Sequence, residues 1–260
     1  MLEIIDKGLT TRAHETPLLF VHGGHHAAWC WNEHFLDYFA NRGFRAAALS
    51  LRAHGGSASD KPLRKLSVAD YVDDIDTAAK QLGGRPILVG HSLGGFIIQK
   101  YLEHRDDMPA AVLMASVPPR GVLRCALRVW RTHPLISMRA IARGQNHEVF
   151  TRRPRAALFS RDTPNPIVEA TAARCQRESL RAAFLDAAFR LPKPDLVSTP
   201  MLVLGGEDDG TLTNDEVHAT ARAYGTQATL FPRMGHNMML EPRWQDVAEV
   251  ICEWLVRKNL

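Results

Sequence analysis

Gly90-His91-Ser92-Leu93-Gly94 sets one serine between two glycines in the pattern G-x-S-x-G. The pattern carries chemistry only where a strand runs into a helix, because there a serine can be held in a strained turn with its hydroxyl exposed. Pro86 to Val89 is a continuously apolar run of strand type, and Leu93 to His104 can form a helix. Flanking glycines remove Cβ clashes around such a turn, and N–H groups at a helix start favour negative charge. Ser92 is therefore the candidate nucleophile. His91 is read as structural, since adjacency in sequence does not make it a base.

A serine nucleophile needs a base, an acid to orient the base, and donors for the developing oxyanion. Of the 12 histidines, His236 alone lies in a Gly-preceded loop between a terminal strand and the terminal helix, in Phe231-Pro232-Arg233-Met234-Gly235-His236. The acid is expected after the late run Met201 to Leu204, where Glu207, Asp208 and Asp209 crowd together, and the residues alone leave the choice open. His22-Gly23-Gly24 follows the run Leu18 to Val21. An HG turn there offers the Gly24 N–H as one oxyanion donor and the Leu93 N–H as the second. His25 and His26 extend the histidine cluster, but nothing elsewhere has ligand spacing, so no metal is expected.

The elements that must position these residues show in the hydrophobic pattern. Short apolar runs at Leu18 to Val21, Phe44 to Leu49, Pro86 to Val89, Ala111 to Ala115, Met201 to Leu204 and Thr229 to Phe231 read as strands. Helix patterns follow most of them: Val68 to Leu82, Leu93 to His104, Asp215 to Tyr224 and Arg243 to Lys258. Such alternation predicts an α/β chain with a mainly parallel central sheet flanked by helices. From Pro118 to Asp195 the alternation stops. One helical stripe there carries Leu123, Leu127 and Trp130; a second pattern opens at Pro164 and Pro166 and aligns Leu180, Phe184 and Ala187. The expected division is a core of residues 1–117 and 196–260 with a helical cap at 118–195.

Composition narrows the function classes. The net charge of +4, with no Walker motif, GxGxxG or zinc-finger spacing, gives no nucleic-acid signal. No apolar run approaches the roughly 18 residues of a membrane span. The start, MLEIIDKG, has neither a basic nor an apolar leader region, and the four cysteines are scattered, so free thiols in a cytoplasmic protein are expected.

Taken together, FVHGGHHAAWCW, LRAHGGS at 51–57, DYVDDI, VGHSLGG, LVLGGEDD and GHNMMLEP resemble the α/β-hydrolase fold family, in its single-domain esterase, lysophospholipase and cofactor-free haloperoxidase-like branch. The order Ser92, acid, His236 is that family's order. The resemblance implies Asp209 as the acid, on its spacing from Gly206, with Asp208 as the alternative. It also implies a helical cap inserted between strands six and seven. Ser50 and Ala53 stand where the family often has Asp and Gly, changes read as belonging to a structural turn. HGGHHAAWCW is also similar to plant methylesterases and hydroxynitrile lyases, but Asn237 stands where the lyases carry a lysine after the histidine, which counts against cyanohydrin cleavage. A serine nucleophile disfavours the relatives that use an aspartate.

The implied activity is a serine hydrolase that cleaves a carboxylic ester through Ser92, His236, Asp209 and an acyl-enzyme, with no cofactor. Thioesterase, C–C hydrolase, perhydrolase and hydroxynitrile lyase are the alternatives with the same residues; a ligand receptor without turnover is the non-enzyme alternative. The substrate is expected to be a small ester-like molecule. Residues 118–195 hold 14 Arg and one Lys against six acids, a net +9, so the rest of the chain is −5. That imbalance suggests an anionic or lipid-like substrate as one reading and a solvated helical surface as the other. The sequence leaves oligomeric state open.

Overall fold

Runs such as Leu18-Leu19-Phe20-Val21 and Ile87-Leu88-Val89 have no polar face, so they need cover on both sides. The computed structural model, which describes residues 1–132, 138 and 154–260, builds them into one seven-stranded sheet. The strands are β1 (Ile4–Lys7), β2 (Leu18–Val21), β3 (Ala46–Leu49), β4 (Ile87–His91), β5 (Ala111–Met114), β6 (Met201–Gly206) and β7 (Ala228–Phe231). Their spatial order is β1-β3-β2-β4-β5-β6-β7, parallel throughout except for β1 against β3. β1 escapes the apolar-run signal because Ile4-Ile5-Asp6-Lys7 is half polar and lies partly exposed at the sheet edge.

Helices cover both faces. On one side α1 (Trp29–Asn32), α2 (Phe35–Ala40) and the last helix set Phe35, Phe39, Ile251 and Leu255 against Phe20, Val89 and Leu204. On the other, α3 (Val68–Gln81) and α4 (Leu93–Leu102) set Tyr71, Ile75, Phe96 and Ile97 against Val21, Leu88 and Leu113. Ser67 and Asp70 form a capping box that fixes where α3 begins.

Between β5 and β6 the described residues form helices and no strand: α5 (Leu123–Thr132), α6 (Pro154–Leu158), α7 (Asn165–Arg174), and a π-helical turn Arg181–Asp186 that runs into α8 (Ala187–Phe189). α9 (Asn214–Ala223) and α10 (Trp244–Arg257) complete the chain. The insertion thus follows the fifth strand in this chain's own count, one step before the expected six-to-seven position, because a single antiparallel strand precedes the parallel run. Residues 133–137 and 139–153 of the expected cap lie outside the described residues. The second helical pattern splits in two: at Cys175 the backbone turns extended (ψ 135°), and Gln176 donates its N–H to the His25 carbonyl at 2.8 Å, a tertiary bond that periodicity does not register.

The strand order reverses beside β2. The chain passes from β2 outward to β3, then crosses back to β4 on β2's other flank, and loops at the strands' carboxyl ends part there to leave a crevice. Val21 pairs with Gly90, and His91 with Met114, so the turns after β2 and β4 emerge side by side. They approach so closely that glycine is required. A Cβ at Gly94 would stand under 3.0 Å from the carbonyl oxygens of Val21 and His22, and one at Gly90 under 3.0 Å from Gly95 Cα. Gly94→Ala is therefore expected to destabilise the chain by about 1–3 kcal/mol, read as a lower urea midpoint with unchanged slope.

Candidate active site

Ser92 closes the turn between β4 and α4 at φ 50°, ψ −116°, a conformation that a residue with a Cβ adopts only when its surroundings impose it. Three backbone hydrogen bonds do so. Its N–H donates to the Met114 carbonyl at 3.1 Å, and its own carbonyl accepts from Phe96 at 3.2 Å and Val117 at 3.1 Å.

The loop after β7 carries His236 to this turn. His236 Nδ1 lies 2.8 Å from Asp209 Oδ2 and Nε2 lies 2.9 Å from Ser92 Oγ. A carboxylate can only accept, so Nδ1 carries the proton and Nε2 is left to accept from the serine hydroxyl. Asp209 Oδ1 is occupied in turn by the Thr211 and Leu212 N–H groups at 2.7 and 2.9 Å. Its two neighbours, Glu207 and Asp208, are exposed. The structure thus brings Ser92, His236 and Asp209 into one hydrogen-bonded chain, and Asp208 stays outside it.

The base loop is itself tied down. His91 Nε2–H donates to the His236 carbonyl at 3.0 Å, a positioning contact in keeping with its structural reading. Gly206 leaves room for the Met234 carbonyl, which accepts from Asp208 N–H at 3.0 Å. The buried Glu241 carboxylate accepts from Gly235 N–H at 2.9 Å and from Ser160 N–H at 2.6 Å, joining the base loop to the insertion.

Gly24 and Leu93 line the same cavity as Ser92 and His236, and a Cβ at Gly24 would meet Leu93 Cδ2 at 3.7 Å. The turn that carries Gly24 is held by neutral histidines. His22 Nδ1–H donates to the Gly23 carbonyl at 2.7 Å while Nε2 accepts from Leu51 N–H at 3.0 Å. His26 Nδ1–H donates to the Gly24 carbonyl at 2.9 Å, and Nε2 faces Asn237 Nδ2 at 3.3 Å. Burial drives both rings towards the neutral form, His22 down to about 3 and His26 to about 4. His91 is likewise pushed well down, by burial and then by the neighbouring His236.

The cavity holds about 510 Å³ and is lined in part by the insertion: Val122, Leu123, Leu127 and Trp130 from the α5 region, with Leu180 and Phe184. No Asp, Glu, Lys or Arg lines it among the described residues. Cys125 and Cys175 do, but burial raises each thiol to about 11, leaving them protonated near neutral pH. Trp31 and both Met238 and Met239 are packed in the core instead, and Trp29 stacks on His26 and under Arg174. Ser50 and Ala53 do belong to a turn: the Ser50 hydroxyl accepts from Ala28 N–H, and Ala53 takes φ 63°. Among the described residues no three His, Cys, Asp or Glu side chains are grouped to hold a metal ion, and no helix is long and apolar enough to cross a membrane. The residues that sequence reasoning missed are His54, Tyr71, Glu178 and Glu241; each acts through a partner more than 70 positions away, as Tyr71 does with Glu178, so no local spacing marks it.

Comparison with known proteins agrees with this fold. The model of the alpha/beta hydrolase family matches residues 18–250. A protein of Oryza sativa subsp. indica named "Probable esterase PIR7A" is 29% identical over 226 residues, covering 82% of this chain and 76% of its own. Methyl jasmonate esterase 1 of Vitis vinifera is 36% identical over 109 residues, 40% of this chain and 41% of its own. The solved structure of a thermophilic esterase from Thermogutta terrifontis superposes with a TM-score of 0.76 at 26% identity, covering 100% of this chain and 94% of that one.

The exposed position of Asp208 and the buried contact of Asp209 give opposite expectations for two neutral isosteres. Asp209→Asn is expected to lower kcat by about three to four orders of magnitude, because the amide favours the wrong imidazole tautomer. Asp208→Asn is expected to stay within about tenfold of wild type, since its side chain touches none of the reacting groups. Steady-state kinetics on both variants measures the contrast.

Proposed function

The chain belongs to the alpha/beta hydrolase family, and on that premise we propose that it is a serine esterase whose substrate is a carboxylic ester with an uncharged, apolar portion. The unbroken chain from Ser92 Oγ through His236 to Asp209, at the base of an apolar cavity, carries the reading. His236 takes the hydroxyl proton as Ser92 attacks the ester carbonyl, and the Gly24 and Leu93 N–H groups receive the oxyanion. Asp209 holds the imidazole tautomer and stabilises the imidazolium that forms. The alcohol leaves with the proton from His236. Water, activated by the same imidazole, then releases the acid and restores Ser92. The esterase names of its relatives support an ester over the other bonds these residues could cleave.

The apolar lining also bears on the charge question. The basic stretch spends part of its charge on the body and on itself: Arg128 pairs with Glu216 at 2.7 Å, Arg174 with Glu33, and Arg190 with Asp186 at 3.3 Å. A substrate carboxylate placed inside the cavity would find no Lys or Arg among the described lining residues.

Ser92→Ala is expected to lower kcat by roughly four to six orders of magnitude, because residues acting as a unit fail together. Near-wild-type turnover by a clean preparation of that variant rules the mechanism out. Between matched esters of equal length, the neutral one should be preferred by more than about a hundredfold, since burying an unpaired carboxylate costs several kcal/mol. A preference for the anionic ester that fades between about 0.02 and 0.5 M salt would instead support attraction by the basic insertion.

A further inference from the structure

A charged carboxylate removed from water destabilises a fold unless its donors are in place, so its partners reveal what it holds. Glu178 lies in the extended stretch that follows α7, and its side chain is completely buried. Oε1 accepts from Tyr71 Oη on α3 at 2.7 Å and from Ser179 N–H at 2.6 Å. Oε2 faces His54 Nε2 at 3.3 Å, and the other ring nitrogen of His54 lies 3.1 Å from the Arg52 carbonyl. The same side chain borders the Gly23-Gly24-His25 turn: an ideal Cβ placed on Gly24, which carries none, would lie 3.7 Å from both Glu178 Cγ and Oε2. Two residues earlier, Gln176 N–H donates to the His25 carbonyl at 2.8 Å, and His25 Nδ1–H donates back to the Gln176 carbonyl at 2.9 Å. His25 is held at φ 68°, the left-handed region that a histidine keeps only under such restraint.

We propose that Glu178 is a positioning residue for the reaction at Ser92: paired with a protonated His54, it holds the Gly23-Gly24-His25 turn where the Gly24 N–H can meet an oxyanion. The role rests on the serine-esterase reading, because the turn matters only if Ser92 generates an oxyanion beside it.

The surroundings favour the charged pair. Burial alone would make His54 neutral, but the Glu178 charge 3.3 Å away outweighs it and raises its pKa above 6.5. Burial would likewise raise Glu178; the His54 charge, with the hydrogen bond from Tyr71, brings it down to about 2. The groups facing the pair from each packed element do not displace the proton. His22, 5.3 Å from the His54 ring, is held neutral, and Tyr71 on α3 is raised by burial and by Glu178, so it remains a donor. Arg52 is engaged by Asp70 and Asp74, and His25, on the turn itself, adds positive character beside Glu178. The depressed Glu178 contributes above the ordinary carboxylate range and loses its effect only in strong acid. The raised His54 contributes fully below 6.5 and loses its effect as pH climbs through its folded-state value. The pair is therefore intact below 6.5 and fails as pH climbs through the folded-state value of His54.

Two histidines then limit the rate in opposite directions. His236 must be neutral to accept from Ser92, which gives a limb rising with pH; His54 must be protonated, which gives a falling limb. The test measures kcat/KM for an apolar p-nitrophenyl ester, and the rate of Ser92 phosphonylation by a fluorophosphonate, from about pH 5 to 10. Wild type should give a bell in both. Glu178→Gln should lower the optimum between about ten- and a hundredfold, the scale of a small misplacement. KM should barely change, and the alkaline limb should disappear. His54→Gln, which keeps a neutral donor towards Glu178, should reproduce that loss and decides the matter alone if Glu178→Gln does not fold. Folded variants with the wild-type rate and profile overturn the positioning role, as does a uniform drop that leaves the alkaline limb in place. If wild type neither labels nor turns over, the esterase reading falls and takes the role with it. If wild type labels and the variants match it, the positioning role alone falls.

Discussion

Ser92 sits at φ 50°, ψ −116°, and everything else in the site is arranged around keeping it there. A strained turn persists only where neighbouring structure over-determines it. Here the restraint comes from both flanking strands and the helix it starts. β5 receives its N–H, α4 and the segment after β5 bond its carbonyl, and the backbone of β2 presses on Gly94. Missing Cβ atoms at Gly90 and Gly94 are what let these backbones meet. The serine hydroxyl is thereby fixed at the sheet's carboxyl edge, where the β6 and β7 loops can reach it with a carboxylate and an imidazole.

The second ordering principle is the handling of charge away from water. Several histidines crowd the site, and they divide by environment rather than by sequence. For His22, His26 and His91 burial outweighs every neighbour that would favour the charged form, so they remain uncharged donors and acceptors that pin backbone carbonyls. His54 is equally buried but faces Glu178, and that one carboxylate reverses the direction of its shift. Glu241 shows a different solution, with a buried carboxylate met by backbone N–H groups and hydroxyls instead of a cation.

The insertion consequently does two jobs. Its apolar side chains line the cavity that Ser92 faces. Its polar backbone ties down the turns beneath, through Gln176 on the Gly23-Gly24-His25 turn, and through Leu158, whose carbonyl accepts from Asn237 N–H next to His236. The same segment therefore shapes the cavity and ties down the turns below it.

The sequence by itself determined the sheet, the order of the site residues and the elements that carry them. Apolar runs from Leu18, Pro86, Ala111 and Met201 can be buried only as covered strands, and G-x-S-x-G between strand and helix leaves one serine able to serve as nucleophile. These are local signals, written within a few residues of each other. Other features had no local signal. The half-polar edge strand Ile4–Lys7 is stabilised by its pairing with β3, so periodicity passes over it. The choice of Asp209 over Asp208 turns on which side chain of a tight loop points at His236, 27 positions away. The break after α7, and the meeting of Glu178 with His54 and Tyr71, exist only once the insertion folds back onto the body. Spacing along a chain encodes which face a residue takes on its own helix or strand. It does not encode which distant backbone or charge that face will meet, and in this protein those meetings bring Asp209 to His236, tie down the Gly23-Gly24-His25 turn and set the direction in which each of His22, His26, His54 and His91 is shifted.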